Sequence, residues 1–189
     1  MQPTTAPGPW PEILMHSFFV AAVATSDKPH YGSWNRLLNT VFPVDTMFEV
    51  VSQVPPVALR EAVDFVVLLL IYVEATPVFV VQIRPPTDFR LFSKRQEADE
   101  QLRRRLVDLA LDLQIPVLHG ISAFGTRIAF YKYDLGTRRM ELRRIACDPE
   151  LVADIAPREW WAFDIVEEGA RKFRAVVEEM KEMCGKVSF

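Results

Sequence analysis

Cysteine, glycine and histidine are all scarce in this chain of 189 residues, with two, seven and three of them, and each scarcity removes a class of function. Cys147 and Cys184 are too few for a disulfide framework and too far apart for a C-x-x-C pair, which points to a reducing compartment. Neither G-x-G-x-x-G nor G-x-x-x-x-G-K-[ST] occurs, so the glycine-rich phosphate cradles of nucleotide sites are missing. His16, His30 and His119 lack metal-ligand spacing, and a zinc centre is not expected. No G-x-S-x-G elbow surrounds Ser122, which leaves a Ser-His-Asp hydrolase without support. An excess of positive charge is missing too: 22 Lys and Arg against 25 Asp and Glu leave −3, which excludes a polybasic nucleic-acid coat.

Apolar residues are plentiful. They make up 50% of the chain and aromatics 11%, enough for one sizeable core in a chain of single-domain length. Residues 1–12 read as a proline-rich arm pinned by Trp10, and 13–189 as one domain. The run Ile13 to Ala24 ends in Ala22-Val23-Ala24, a small-residue cleavage pattern. No Lys or Arg precedes it and four prolines crowd its start, so an intracellular protein of cytoplasm or nucleus is expected, with secretion the minor alternative. Val63 to Ile83 is long enough to span a bilayer but contains Asp64, Glu74, Pro77 and Gln82. A buried β-hairpin, Val63–Val73 with Val78–Arg84, fits it better than a membrane helix.

The remaining elements follow from periodicity. A short helix opens at Ser33, capped by Ser33 or Asp27, and ends before Pro43. Met47–Val54 reads as a strand. Ala98, Leu102, Leu106, Leu109 and Leu113 recur at three and four residues and predict an amphipathic helix from Lys94 to before Pro116. Val117–Ala123, Ile128–Tyr133 and Met140–Leu142 are strand-like. Asp164 with Glu167 resembles a capping box, and Val166, Ala170, Phe173, Val177, Met180 and Cys184 line one face of a final helix. Trp160 and Trp161, with Phe163, read as a lid on the core. The fold class is mixed α/β (α+β), a central sheet flanked by helices, without the strict alternation of a doubly wound fold.

One constellation carries chemistry: Asp64 on the first hairpin strand, Gln82-Ile83-Arg84 at the end of the second, then a polar helix bearing Glu97 and Gln101. In this order, and in the segments VFVVQIRPP, SKRQEADEQLRRRL and PVLHGISAFGTRIAFYKYD, residues 31–134 resemble the PD-(D/E)XK nuclease-like superfamily. They are similar in particular to a group of fungal proteins assigned to it. The resemblance implies a restriction-endonuclease-like core of helix, three strands, helix and strand. It also implies a Mg²⁺-dependent phosphodiesterase site in which two carboxylates hold the metal and a lysine orients water.

Asp64 matches the first acid, but Gln82 stands where the second belongs and Arg84 where the lysine belongs. A neutral amide binds a divalent cation weakly, and arginine stays protonated and cannot act as a general base. The resemblance therefore implies a pseudoenzyme, or a nuclease of low activity. Asp64 and Glu97 are its candidate metal ligands; Asp64, Gln82, Arg84, Glu97 and Gln101 are its candidate catalytic residues; Arg84, Arg103 and Arg105 are its candidate DNA or RNA contacts. The plainer readings are an Asp64–Arg84 ion pair, a solvated charge stripe at Glu97, Gln101 and Arg105, and solvated basic edges at Arg103–Arg105, Arg138-Arg139 and Arg143-Arg144. The rival function is a protein-interaction or scaffold module that uses its last helix or apolar N-terminal segment to pair with a second copy or another protein.

Overall fold

The protein, seen here in a computed structural model, is described over residues 8–23, 28–54, 63–71, 74–146 and 153–187. Asp27 and Cys147 lie outside these ranges. A seven-stranded mixed sheet carries four α-helices on its two faces. In chain order the elements are α1 (Glu12–Ala22), α2 (Lys28–Val41), β1 (Phe48–Val54), β2 (Val63–Ile71), β3 (Glu74–Arg84), α3 (Phe92–Leu109), β4 (Val117–Phe124), β5 (Arg127–Asp134), β6 (Arg139–Glu141), β7 (Phe163–Asp164) and α4 (Gly169–Cys184). Strands β1 to β6 lie side by side in sequence order, and β7 pairs with the start of β5 beside β6. Every strand pair is antiparallel except β3 with β4, which the α3 crossover makes parallel.

Both faces of the central strands are covered, which is why β3 and β4 read as nearly continuous apolar runs. Phe65, Val67, Phe79, Val81, Ile83 and Ile121 meet Leu14, Phe18, Trp34, Leu37, Phe173 and Val177 in one core that joins α1, α2 and α4 to the sheet. Val66, Val80, Leu118, Phe124 and Tyr131 meet Ala98, Leu102 and Leu106 of α3, together with Trp161, in the other. Gly120 lets α3 approach β4, since a Cβ there would lie 3.1 Å from Leu106 Cδ1. The β4–β5 turn, Gly125-Thr126, needs its glycine because the backbone turns left-handed at φ 64°.

Several boundaries differ from the sequence expectation. The second helix begins at Lys28, because Pro29 lacks an N–H that the first helical turn does not use; Ser33 is an interior residue whose hydroxyl lies 2.8 Å from that of Ser17. The apolar run from Ile13 is α1, which buries Leu14, Phe18 and Ala21, and Trp10 ties the arm down by donating to Ile165 O at 2.6 Å. Pro77 does not break the hairpin. It is absorbed into β3 opposite Leu68, where the register shifts. Leu113 falls beyond α3. Asp164 caps no helix: it sits in β7, with its carboxylate accepting from Val166 N–H and Thr126 Oγ1, and α4 starts five residues later. Among the described residues no helix is long and apolar enough to cross a membrane.

Candidate functional site

Residues two apart on a strand share a face, and β3 places Gln82 and Arg84 toward α3. Gln82 Nε2 donates to Gln101 Oε1 at 3.3 Å, and Arg84 Nη2 lies 3.9 Å from Glu97 Oε1. Two side chains from one strand thus meet two from one helix, four residues apart on its surface. Gln82 is only 2% exposed, and its Oε1, like Arg84 Nε, has no hydrogen-bond partner among the described residues. A buried acceptor and a buried donor without partners are costly, and they single out this cluster of side chains as a place where a ligand or water would be held.

Asp64 joins from the neighbouring strand but faces different partners. Phe65 pairs with Val81, so Asp64 stands at the end of the β2–β3 ladder. There its carboxylate accepts from Ile83 N–H, standing in for a backbone carbonyl, and from the Tyr31 hydroxyl of α2. The Asp64–Arg84 ion pair expected from sequence is replaced by Arg84–Glu97. Tyr31 was not legible as a site residue, since it is 33 positions from Asp64 and only the packing of α2 on β2 brings them together. Asp64→Ala should lower the unfolding free energy by about 2–3 kcal/mol, the range for bonds to a charged acceptor, and Tyr31→Phe by about 1. Urea unfolding decides it; an Asp64→Ala loss under about 0.5 kcal/mol, the size of an ordinary surface change, would remove the structural role.

Glu97 is held twice. Lys94 Nζ lies 2.8 Å from its Oε2, and this bond keeps the carboxyl below its usual range against the opposing effect of burial, with smaller help from the Arg84 charge. The two cations, Arg84 and Lys94, are matched by two acids, Glu97 and Asp64. The resemblance implies Mg²⁺, and these donors do not fit it well: Asp64 is already accepting from two donors, Glu97 is neutralised, and Gln82 offers one amide oxygen beside a guanidinium. Among the described residues no group of three or more His, Cys, Asp or Glu is placed to hold a metal.

Arg103 and Arg105 do not lie on the surface. Arg103 is 9% exposed, with Nε on both Asp99 oxygens at 2.8 and 2.7 Å and Nη2 on Leu142 O at 2.6 Å, and Arg105 is buried likewise. Only Arg104 of the triplet is solvated, 3.5 Å from Glu100. The solvated edge expected at Arg103 fails because residues 139–142 and 153–161 close over that side of α3, which tethers the second of these segments through Arg95 Nε on Ala156 O at 2.9 Å; of the expected Glu97, Gln101 and Arg105 stripe, Arg105 is buried and the other two are half-buried.

His119 is a further buried ionisable group, 2% exposed on β4 with Nε2 lacking a hydrogen bond among the described residues and Glu179 Oε1 3.9 Å away. Burial pushes its pKa down from 6.5 to about 4, despite Glu179 and with some help from Lys132. Between those values the unfolded chain holds the extra proton, so its contribution to stability is complete above pH 6.5 and is lost as the pH falls toward 4. From pH 7 to pH 5 this amounts to about 2 kcal/mol. His119→Leu should flatten the profile by that amount in urea titrations at the two pH values; equal slopes would refute it.

No protein-family model matches the chain, and comparison with curated proteins and with solved structures gives no match either.

Proposed function

We propose that the chain is a restriction-endonuclease-like domain of PD-(D/E)XK ancestry, acting inside the cell, that binds nucleic acid and has lost most or all of its phosphodiesterase activity. The observation that carries this reading is the topology around the cluster: helix α2, antiparallel β1, β2 and β3, helix α3, then β4 parallel to β3. The residues at the superfamily's active positions, Gln82 and Arg84, face α3 in that frame. A guanidinium with an unused N–H donor suits a phosphate oxygen better than a hydrated cation.

The test is incubation of the full chain with plasmid and single-stranded DNA or RNA, with and without Mg²⁺. Retardation without cleavage, weakened in Arg84→Gln, is the expected result. Metal-dependent cleavage abolished in Asp64→Ala would overturn the inactive reading; absence of both binding and cleavage would overturn the nucleic-acid reading. A second reading, a protein-interaction module, is favoured by α1, where Ile13, Phe19 and Val20, with Val23 just past its end, are each more than half exposed. It gains ground if the chain forms a stable dimer that Phe19→Asp dissolves.

A further inference from the structure

A second basic feature lies at the same end of the sheet, outside the Gln82–Arg84 cluster. The chain leaves β3 through Pro85 into the 3-10 turn Pro86–Arg90, where the half-buried Phe89 ring rests on Phe124 at 5.7 Å, itself 5.4 Å from Trp161. Three guanidinium carbons surround that one ring: Arg127 at 5.2 Å, Arg95 at 5.9 Å and Arg158 at 6.0 Å. Arg95 is buried and fully committed, to Ala156 O, Phe89 O and Asp154. The other two are exposed. Arg158 Nη2 donates to Arg90 O at 3.1 Å, which keeps Arg90 beside the pair. None of Arg90, Arg127 and Arg158 has a carboxylate within ion-pair range among the described residues. The nearby acids are Asp88, Asp154, Glu159 and Asp164: Asp154 is engaged by Arg95, and Asp164, opposite Arg127 in the β5–β7 register, is engaged by Thr126 Oγ1 at 3.0 Å and by Val166 N–H at 3.1 Å.

We propose that Arg127 and Arg158, held on the Phe89 ring with Arg90 at the rim, form a binding site for a phosphate group. Like charges gathered on one ring repel, and a bound anion removes that cost. Stacking on Phe89 fixes both planar forks before the ligand arrives, so less side-chain freedom is lost when each presents paired N–H donors to phosphate oxygens. Arg127 opens β5 immediately after the Gly125-Thr126 turn, and Gly125 N–H donates to Arg84 O at 3.2 Å, so Arg127 sits on rigid frame at the carboxyl ends of the parallel strands, while Arg158 opens the 3-10 turn Arg158–Trp161. Ligands of open α/β sheets gather at that end. The site does not depend on that cluster having any activity. The phosphate belongs either to a nucleic-acid strand or to a free polyphosphate.

The two sources are separated by titrating the full chain with inorganic tripolyphosphate and, in parallel, with a labelled single-stranded DNA oligonucleotide, using polyglutamate as an anion without phosphate. R127Q/R158Q should weaken the preferred probe at least tenfold, while R127K/R158K, which keeps both charges but loses the stacked forks, should recover only part of that affinity. If the oligonucleotide is preferred, the logarithmic salt dependence of its binding should fall in slope by about 1.4 in R127Q/R158Q, from two lost phosphate contacts. Preference for tripolyphosphate assigns the site to a free polyphosphate. The proposal is overturned if neither phosphate probe binds the wild-type chain, if R127Q/R158Q binds as the wild type does, or if polyglutamate competes equally. Loss of binding only in Arg84→Gln would overturn it while leaving the nucleic-acid reading of the Gln82–Arg84 cluster intact.

Discussion

Asp99→Ala should lower the unfolding free energy by about 3–5 kcal/mol, the cost of removing one partner from a buried ion pair. Asp99 is buried beneath β5, where Oδ1 accepts from the Tyr131 hydroxyl at 2.8 Å and both oxygens accept from Arg103 Nε. Arg103 in turn donates to Leu142 O and lies over the rings of Tyr131 at 5.4 Å and Trp160 at 5.7 Å. Without the carboxylate, a cation and a phenol remain under the β6 strap with no acceptor of sufficient charge. Burial, then Asp99, raises the Tyr131 pKa well above its ordinary value, so the phenol stays protonated and cannot relieve the cation. Replacing the whole triad by Asp99→Leu, Arg103→Met and Tyr131→Phe should recover most of the loss, because apolar groups of similar volume leave nothing unpaired. Urea unfolding of both proteins is the measurement. A single-mutant loss below about 1 kcal/mol, typical of an average substitution, would show that water reaches the network.

That triad also marks where the sequence stopped being readable. The apolar stripe of α3 was visible because Ala98, Leu102, Leu106 and Leu109 repeat with the helical period, and all four are buried. Arg95, Asp99 and Arg103 lie four apart at the margin of that stripe, and spacing alone treats charged residues there as solvated. Their burial depends on segments 32 to 59 residues away, which no local pattern reveals. The strands were legible for the opposite reason. Runs such as Val78–Val81 are apolar on both faces, and a sheet covered on both sides demands this.

The candidate site was half legible. The two-residue spacing of Gln82 and Arg84 fixes a common face whatever the partner, and the helix spacing of Glu97 and Gln101 does the same, but spacing did not say which strand residue meets which helix residue: Arg84, expected on Asp64, lies on Glu97. Asp64 resisted because its position at the end of a ladder frees its carboxylate to bond a main-chain N–H. An acid in an apolar strand signals that a partner exists but not which one, and here Ile83 N–H and the Tyr31 hydroxyl are both among its partners. Basic runs were equally uninformative: the triplet Arg103–Arg105 is largely buried, whereas Arg127 and Arg158, far apart in sequence, converge on Phe89.

Gln82→Glu combined with Arg84→Lys should make the melting temperature respond to Mg²⁺, which the wild-type chain should not. In the absence of metal the variant should be less stable than the wild type, since position 82 is almost fully enclosed and a carboxylate there is poorly solvated. Mg²⁺ binds the folded form alone, so at a hundred times its dissociation constant it adds about 2.7 kcal/mol. For a chain of this length that is a rise of roughly 5–10 °C. The geometry is favourable because Ile83, whose N–H holds the Asp64 carboxylate, lies between the two altered positions; a new glutamate would therefore stand beside an existing acid. If millimolar Mg²⁺ leaves the melting temperature of the double variant unchanged, Asp64, Gln82 and Glu97 do not surround a common point, and the descent from a metal-dependent nuclease loses its geometric basis.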